Sequence, residues 1–157
     1  MLRASLLSTI LVFLGLQALF PNDAYPGGLV AGQLAFSAEV LQAQLAVLAA
    51  EGRLAAFALA QRFDFLFIAS YSALLFLLLR TPQDSSARRR GLWLLVVTVA
   101  LSDGLENALM LVFIEAPETL TGGRALAYST FAAGKWAGLA LATVLIARRR
   151  RSAKLLP

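Results

Sequence analysis

Residues 91–113 read Gly91-Leu-Trp-Leu-Leu-Val-Val-Thr-Val-Ala-Leu-Ser-Asp103-Gly-Leu-Glu106-Asn107-Ala-Leu-Met-Leu-Val-Phe113. As a helix this stretch is roughly 34 Å long, enough to cross a bilayer. Its 12 Leu, Val and Phe residues favour insertion by roughly 4–7 kcal/mol, whereas one Asp and one Glu at mid-depth oppose it by about 5–7 kcal/mol. Alone the helix is near break-even. It therefore needs partners, and the chain around it must supply them.

Outward from this stretch lie three more apolar runs, giving spans at about 4–22, 63–80, 91–113 and 125–147, with a longer segment at 23–62 between the first two. Hydrophobic residues make up 59% of the 157 and charged residues only 15%. That composition leaves no polar shell for a soluble domain, and it is too apolar for a disordered chain. The fold class expected is an all-α integral membrane protein. It has four transmembrane helices and an extra amphipathic helix on the external side, and both termini are cytoplasmic. There is no internal repeat or linker, so 1–157 reads as one membrane domain. Met1-Leu2-Arg3 before an apolar run also fits a signal peptide, but no small-x-small cleavage site follows. The first run is read as a retained span.

Orientation comes from the basic residues. Arg80, Arg88, Arg89 and Arg90 fall between the second and third spans. Arg148, Arg149, Arg150, Arg151 and Lys154 follow the fourth, and Arg3 precedes the first. The other side carries Arg53, Arg62 and Arg124 beside Asp23, Glu39, Glu51, Glu115 and Glu118. By the positive-inside rule the basic side is cytoplasmic, which places the protein in the cell (inner) membrane. The net charge of +5 is then a topology signal that meets anionic lipid head groups, and nucleic acid is not an expected partner.

In the segment 23–62, Pro21, Pro26, Gly27 and Gly28 begin a loop, and a helix is predicted from Ser37 as N-cap, with Glu39 in its first turn. Leu34, Leu41, Leu45, Leu48 and Leu59 form one stripe, opposite Gln42, Gln44, Glu51, Arg53 and Gln61. Gly52 marks a bend. Such a helix packs over the bundle or serves as a lid above a cavity.

The interior ionisable residues are the candidate site. Asp103, Glu106, Asn107 and Met110 share one face of the third helix. Asp64 and Tyr71 share a face of the second, with Tyr71 near mid-depth. Tyr128 and Lys135 share a face of the fourth. Lys135 is the one interior cation, so a pair with Asp103 or Glu106 is expected. Several acids around one Lys leave excess negative charge, to be offset by protonation, a bound cation, a ligand amine or water. Asp64, Tyr71, Asp103, Glu106, Asn107, Tyr128 and Lys135 are thus assigned to a cavity opening to the external side. Gly134 and Gly138 form a small-xxx-small row for close helix packing, within the bundle or between protomers.

Arg62-Phe-Asp-Phe-Leu-Phe-Ile-Ala-Ser-Tyr71 and Leu101-Ser-Asp-Gly-Leu-Glu-Asn-Ala-Leu109 resemble a pattern in small uncharacterised bacterial four-span membrane proteins with an Asp-x-x-Glu-Asn motif. That resemblance implies architecture and no activity. The string Ser102-Asp-Gly-Leu-Glu106-Asn107 is also similar to one in the membrane-associated proteins of eicosanoid and glutathione metabolism. That family carries it on the second span with arginines close before it, whereas here it is on the third and Arg90 lies at the opposite membrane face.

The chain has neither Cys nor His, which excludes disulfides, thiolate nucleophiles and imidazole chemistry. No phosphate-binding Gly loop, metal-ligand spacing or nucleophile elbow occurs, so no metal is expected and no cofactor is implied. The leading expectation is a protein that binds or transports a cation, proton or lipophilic ligand, with membrane lipids as neighbours. The alternatives are an accessory subunit of a homo-oligomer or larger membrane complex, and an enzyme on a lipophilic substrate. In the enzyme, Glu106 or Asp103 would act as base and Lys135 or Tyr71 as electrophilic partner.

Overall fold

The computed structural model describes residues 2–21, 25–80 and 84–154, with backbone alone for 150–154. Asn22 and Asp23, at the end of the first run, lie outside the described residues, as do the side chains of Arg150, Arg151 and Lys154. The described elements are helical throughout: α1 (Leu2–Leu19), α2 (Leu29–Gln33), α3 (Ala38–Ala50), α4 (Leu54–Leu79), α5 (Ser86–Glu115), a 3-10 turn (Pro117–Thr119) and α6 (Gly122–Lys154).

Helices α1, α4, α5 and α6 are each long and apolar enough to cross a membrane. Helix is the form such segments take because hydrocarbon offers no partner for backbone N–H and C=O groups, and a helix satisfies them internally. The bundle is polar inside and apolar outside. Leu101 is 60% exposed, Leu94 57% and Leu66 56%, while Asp103, Glu106, Asn107 and Lys135 are all buried. Exposed leucines on long helices around buried charge are the layout of a multi-pass membrane protein.

Adjacent long helices run antiparallel. Ser8 meets Ser70 and Phe13 meets Phe67 along α1 and α4. Tyr71 meets Asp103 and Arg62 meets Glu115 along α4 and α5. Asp103 meets Lys135 and Phe113 meets Tyr128 along α5 and α6. The α5 face Leu92, Val96, Val99, Asp103, Glu106, Asn107, Met110 and Phe113 is buried along its length, repeating at three and four residues as a packed helical seam does. On the facing helix, Gly138 comes so close to Val99 that an added Cβ would overlap its methyl. The small-residue row thus seats α6 on α5 within one bundle.

One boundary differs clearly from expectation. Helix α4 begins at Leu54, so the end of segment 23–62 is part of the long helix. Gly52, at φ 66°, separates it from α3. The Arg53 N–H bonds the Leu48 carbonyl and the Gly52 N–H that of Ala49, a closing turn that requires the left-handed backbone glycine adopts readily. The break also ends the leucine stripe. Leu41, Leu45 and Leu48 are buried, but Leu34 caps α2 and Leu59 belongs to α4, and both are exposed. Ser37 caps α3 as expected, its Oγ accepting from the Val40 N–H at 3.3 Å. Its hydroxyl also donates to Glu39 Oε2 at 2.6 Å, which holds that exposed carboxyl below its usual range.

Helix α3 is pinned on its polar side too. Gln42 donates to the Leu120 carbonyl (3.2 Å) and Gln44 to the Pro26 carbonyl (3.0 Å), while the Tyr25 hydroxyl donates to Gln44 Oε1 (3.2 Å). Tyr25 is fully enclosed in the loop before α2. Burial, with Glu106 as the second influence, pushes its phenol well above the usual range, so it stays neutral. Nearby, Phe36 sits at φ 52°, a left-handed conformation uncommon for a bulky residue. Its N–H is anchored by Ser129 Oγ at 3.0 Å.

Candidate functional site

Three helices bring the interior polar residues to one place. Lys135 on α6 reaches across to α5, its Nζ 3.0 Å from Asp103 Oδ1 and 2.6 Å from Glu106 Oε2. All three side chains are buried. The expected pair is thus a triad, with the ammonium shared by two carboxylates one helical turn apart. Asp103 is further fixed from α4, where the Tyr71 hydroxyl donates to Oδ2 at 2.8 Å. Asn107 turns toward α4 and donates to Asp64 Oδ2 at 2.6 Å. A carboxylate with donors on both oxygens is well held in a medium of low dielectric, and Asp103 meets that condition.

Glu106 is held differently. Its Oε2 lies 2.6 Å from the Lys135 ammonium, and its other polar neighbour is the Tyr128 hydroxyl on the same side of α6. Tyr128 lies beside it and packs edge-on against Phe113, ring centroids 6.1 Å apart. Glu106 and Tyr128 therefore stand on the closed side of Lys135, between α5 and α6.

The other side holds a cavity. A cavity of about 300 Å³ has Asp64, Tyr71, Asp103, Asn107 and Lys135 on its polar wall. Glu106 and Tyr128 are not part of its lining. Five of the seven residues predicted for the site thus face one cavity and two brace it from behind. The apolar lining comes from Phe13 and Leu16 of α1, Phe20 just after it, Leu29 of α2, Phe57, Ala60 and Phe67 of α4, and Leu139 of α6. Helix α1 packs along α4 and only sparsely elsewhere, and none of its residues is buried. The cavity thus lies between the α4–α5–α6 core and a helix that packs on that core through α4. At its far end, away from the arginine-rich segments, α2 closes over it. Gln33 of α2 is buried and accepts from Trp136 Nε1 at 3.0 Å.

Sequence reasoning missed Gln17, Gln33, Gln61 and Trp136, which also line the cavity. Gln17 and Gln61 left a signal, since an amide in or beside an apolar run needs a polar neighbour. Gln33 left none, because its place depends on a five-residue helix between loops.

Three carboxylates (Asp64, Asp103, Glu106) and one ammonium (Lys135) meet within this cluster. The arrangement has an excess of two acids. It can hold a positive charge beside Asp64 or keep protons on the carboxyls. Comparison of the chain with family models, curated proteins and solved structures finds no match.

Proposed function

We propose that this protein is a four-span inner-membrane protein that binds a lipophilic cation in the cavity between α1 and the α4–α5–α6 core. The single observation that supports this most is the mixed lining of one cavity. Asp64, Asp103 and Lys135 border it together with the rings of Phe13, Phe20, Phe57 and Phe67. An ammonium beside Asp64 offsets the excess acid, while the apolar body of the ligand rests on Phe13, Phe20, Phe57 and Phe67, whose ring faces also favour a cation. The opening that suits such a ligand is the gap along α1, where packing is sparsest.

In this reading both termini are cytoplasmic and α2, α3 and the end of the cavity that α2 covers face outward. Single cysteines in place of Ser85 and Glu118, in this chain without native Cys, test the orientation. An impermeant thiol reagent applied to intact cells should modify the cysteine at 118 and spare the one at 85. Labelling of both would contradict it.

The ligand class is tested by equilibrium dialysis of the detergent-purified protein against phenylbutylammonium and phenylbutanoate, similar in size and opposite in charge. The cation should bind and the anion should not. Asp64→Asn should weaken cation binding at least ten-fold, as expected for losing a charge-assisted contact of about 1.5 kcal/mol or more. Equal binding of the two ions, or an Asp64→Asn protein that binds as before, would refute the reading and favour a bundle whose polar cluster only supports an assembly.

A further inference from the structure

At the end of the bundle opposite α2, a second cavity of about 360 Å³ lies between the C-terminal end of α4 and the N-terminal end of α5. Its floor is apolar: Phe76, Leu92 and Trp93. Arg80, Arg89 and Arg90 border it through their hydrocarbon stems, with their side chains exposed around its edge. The ion pairs at this end do not use them. Asp84 pairs with Arg88 at 3.2 Å and with Arg149 at 3.0 Å, and Arg149 also donates to the Leu79 carbonyl. Among the described residues Arg80, Arg89 and Arg90 make no ion pair, and the Arg80 guanidinium leans over the Phe76 ring at 5.8 Å. The one buried acid here is thus committed to two other arginines, leaving three cationic side chains around an apolar floor.

Depth gives the third clue. The apolar run of α5 begins at Gly91, directly after Arg88-Arg89-Arg90. The rim therefore sits where head groups would lie and the floor where acyl chains begin. Trp93 is 54% exposed, as an indole at the membrane interface would be. A soluble anion would use the rim and leave the floor bare, and a zwitterionic lipid would leave the charge unmatched. We infer that this cavity is a binding site for an anionic phospholipid. The phosphate is held by Arg80, Arg89 and Arg90 and the upper acyl chain lies on Phe76, Leu92 and Trp93. The inference rests on the membrane reading and not on the ligand proposed for the α1 cavity.

The two Trp residues of the chain lie one in each cavity, so each reports on its own site. In a Trp136→Phe protein, Trp93 is the sole indole. In phosphatidylcholine vesicles, phosphatidylglycerol brominated near the head of its chains should quench Trp93 more strongly than brominated phosphatidylcholine at the same mole fraction. Inorganic phosphate should not reverse the effect. The anionic preference should fall roughly five-fold for each of Arg89→Gln and Arg90→Gln, the usual size of one cationic side chain at an anionic surface. Arg3→Gln, which removes equal charge from the same end, should leave the preference unchanged. In the converse Trp93→Phe protein, Trp136 should show no such preference. Equal quenching by both lipids would overturn the site. So would reversal by phosphate, or an Arg3→Gln effect as large as that of Arg89→Gln. The last result would mean diffuse surface charge in place of a pocket.

Discussion

The two sides of Lys135 are built from similar residues and behave differently. On the α5–α6 side, Glu106 and Tyr128 are buried, with Tyr128 packed among Tyr25, Met110 and Phe113. On the α4 side, Asp103, Tyr71, Asn107 and Asp64 carry the better hydrogen bonds, yet they border a cavity. The contrast lies in the neighbouring helix. Where α6 seats Gly138 against the Val99 side chain there is no room between the helices, whereas α1 leans on α4 through rings and borders a void. One cation thus serves as a structural tie on one face and as part of a binding wall on the other.

The largest effect should come from removing the tie. Lys135→Ala leaves two buried carboxylates without their cation and should cost about 3–5 kcal/mol in detergent. Adding Glu106→Gln or Asp103→Asn should recover part of this, because either amide removes a stranded charge. If neither second change recovers stability, Lys135 is not coupled to these acids and the contrast between its two sides disappears. Next in size is the glycine contact. Gly138→Val drives a side chain into Val99 and should cost roughly 1–3 kcal/mol, with Val99→Ala in the same chain restoring much of it. The smallest stability effect belongs to the loose side. Phe13→Ala loses a tilted ring contact with Phe67 at 5.8 Å, an interaction of about 1 kcal/mol, on a helix with no buried residue. Thermal unfolding in one detergent ranks all three. A Phe13→Ala loss equal to that of Gly138→Val would show that α1 is part of the rigid core.

The spans, the shared faces of α4, α5 and α6, and the meeting of Lys135 with its acids were all readable in the sequence. Each rests on helical periodicity and on the cost of an unpaired charge in hydrocarbon, both local properties of the chain. The orientation of Glu106 was not readable. Asp103, Glu106 and Asn107 lie within five positions on one face, and only the angle at which α6 crosses α5 decides which acid borders a cavity. The leucine stripe of 34–59 misled because Gly52 resets the helical phase, so Leu59 points elsewhere once α4 begins. The α1 wall was hidden for another reason. An apolar run without charge gives no hint of how tightly it packs, and loose packing is what makes the void.

The account turns on the division of labour around Lys135, and one paired measurement tests it most directly: thermal stability and phenylbutylammonium binding on the same preparations of Asp64→Asn and Glu106→Gln. Asp64→Asn should lose cation binding with its unfolding temperature nearly unchanged, since Asp64 is only partly buried and its Asn107 contact can be kept by an amide. Glu106→Gln should shift the unfolding temperature and still bind the cation. The reverse pattern, with binding lost in Glu106→Gln and kept in Asp64→Asn, would contradict the account and move the site to the closed side of the bundle.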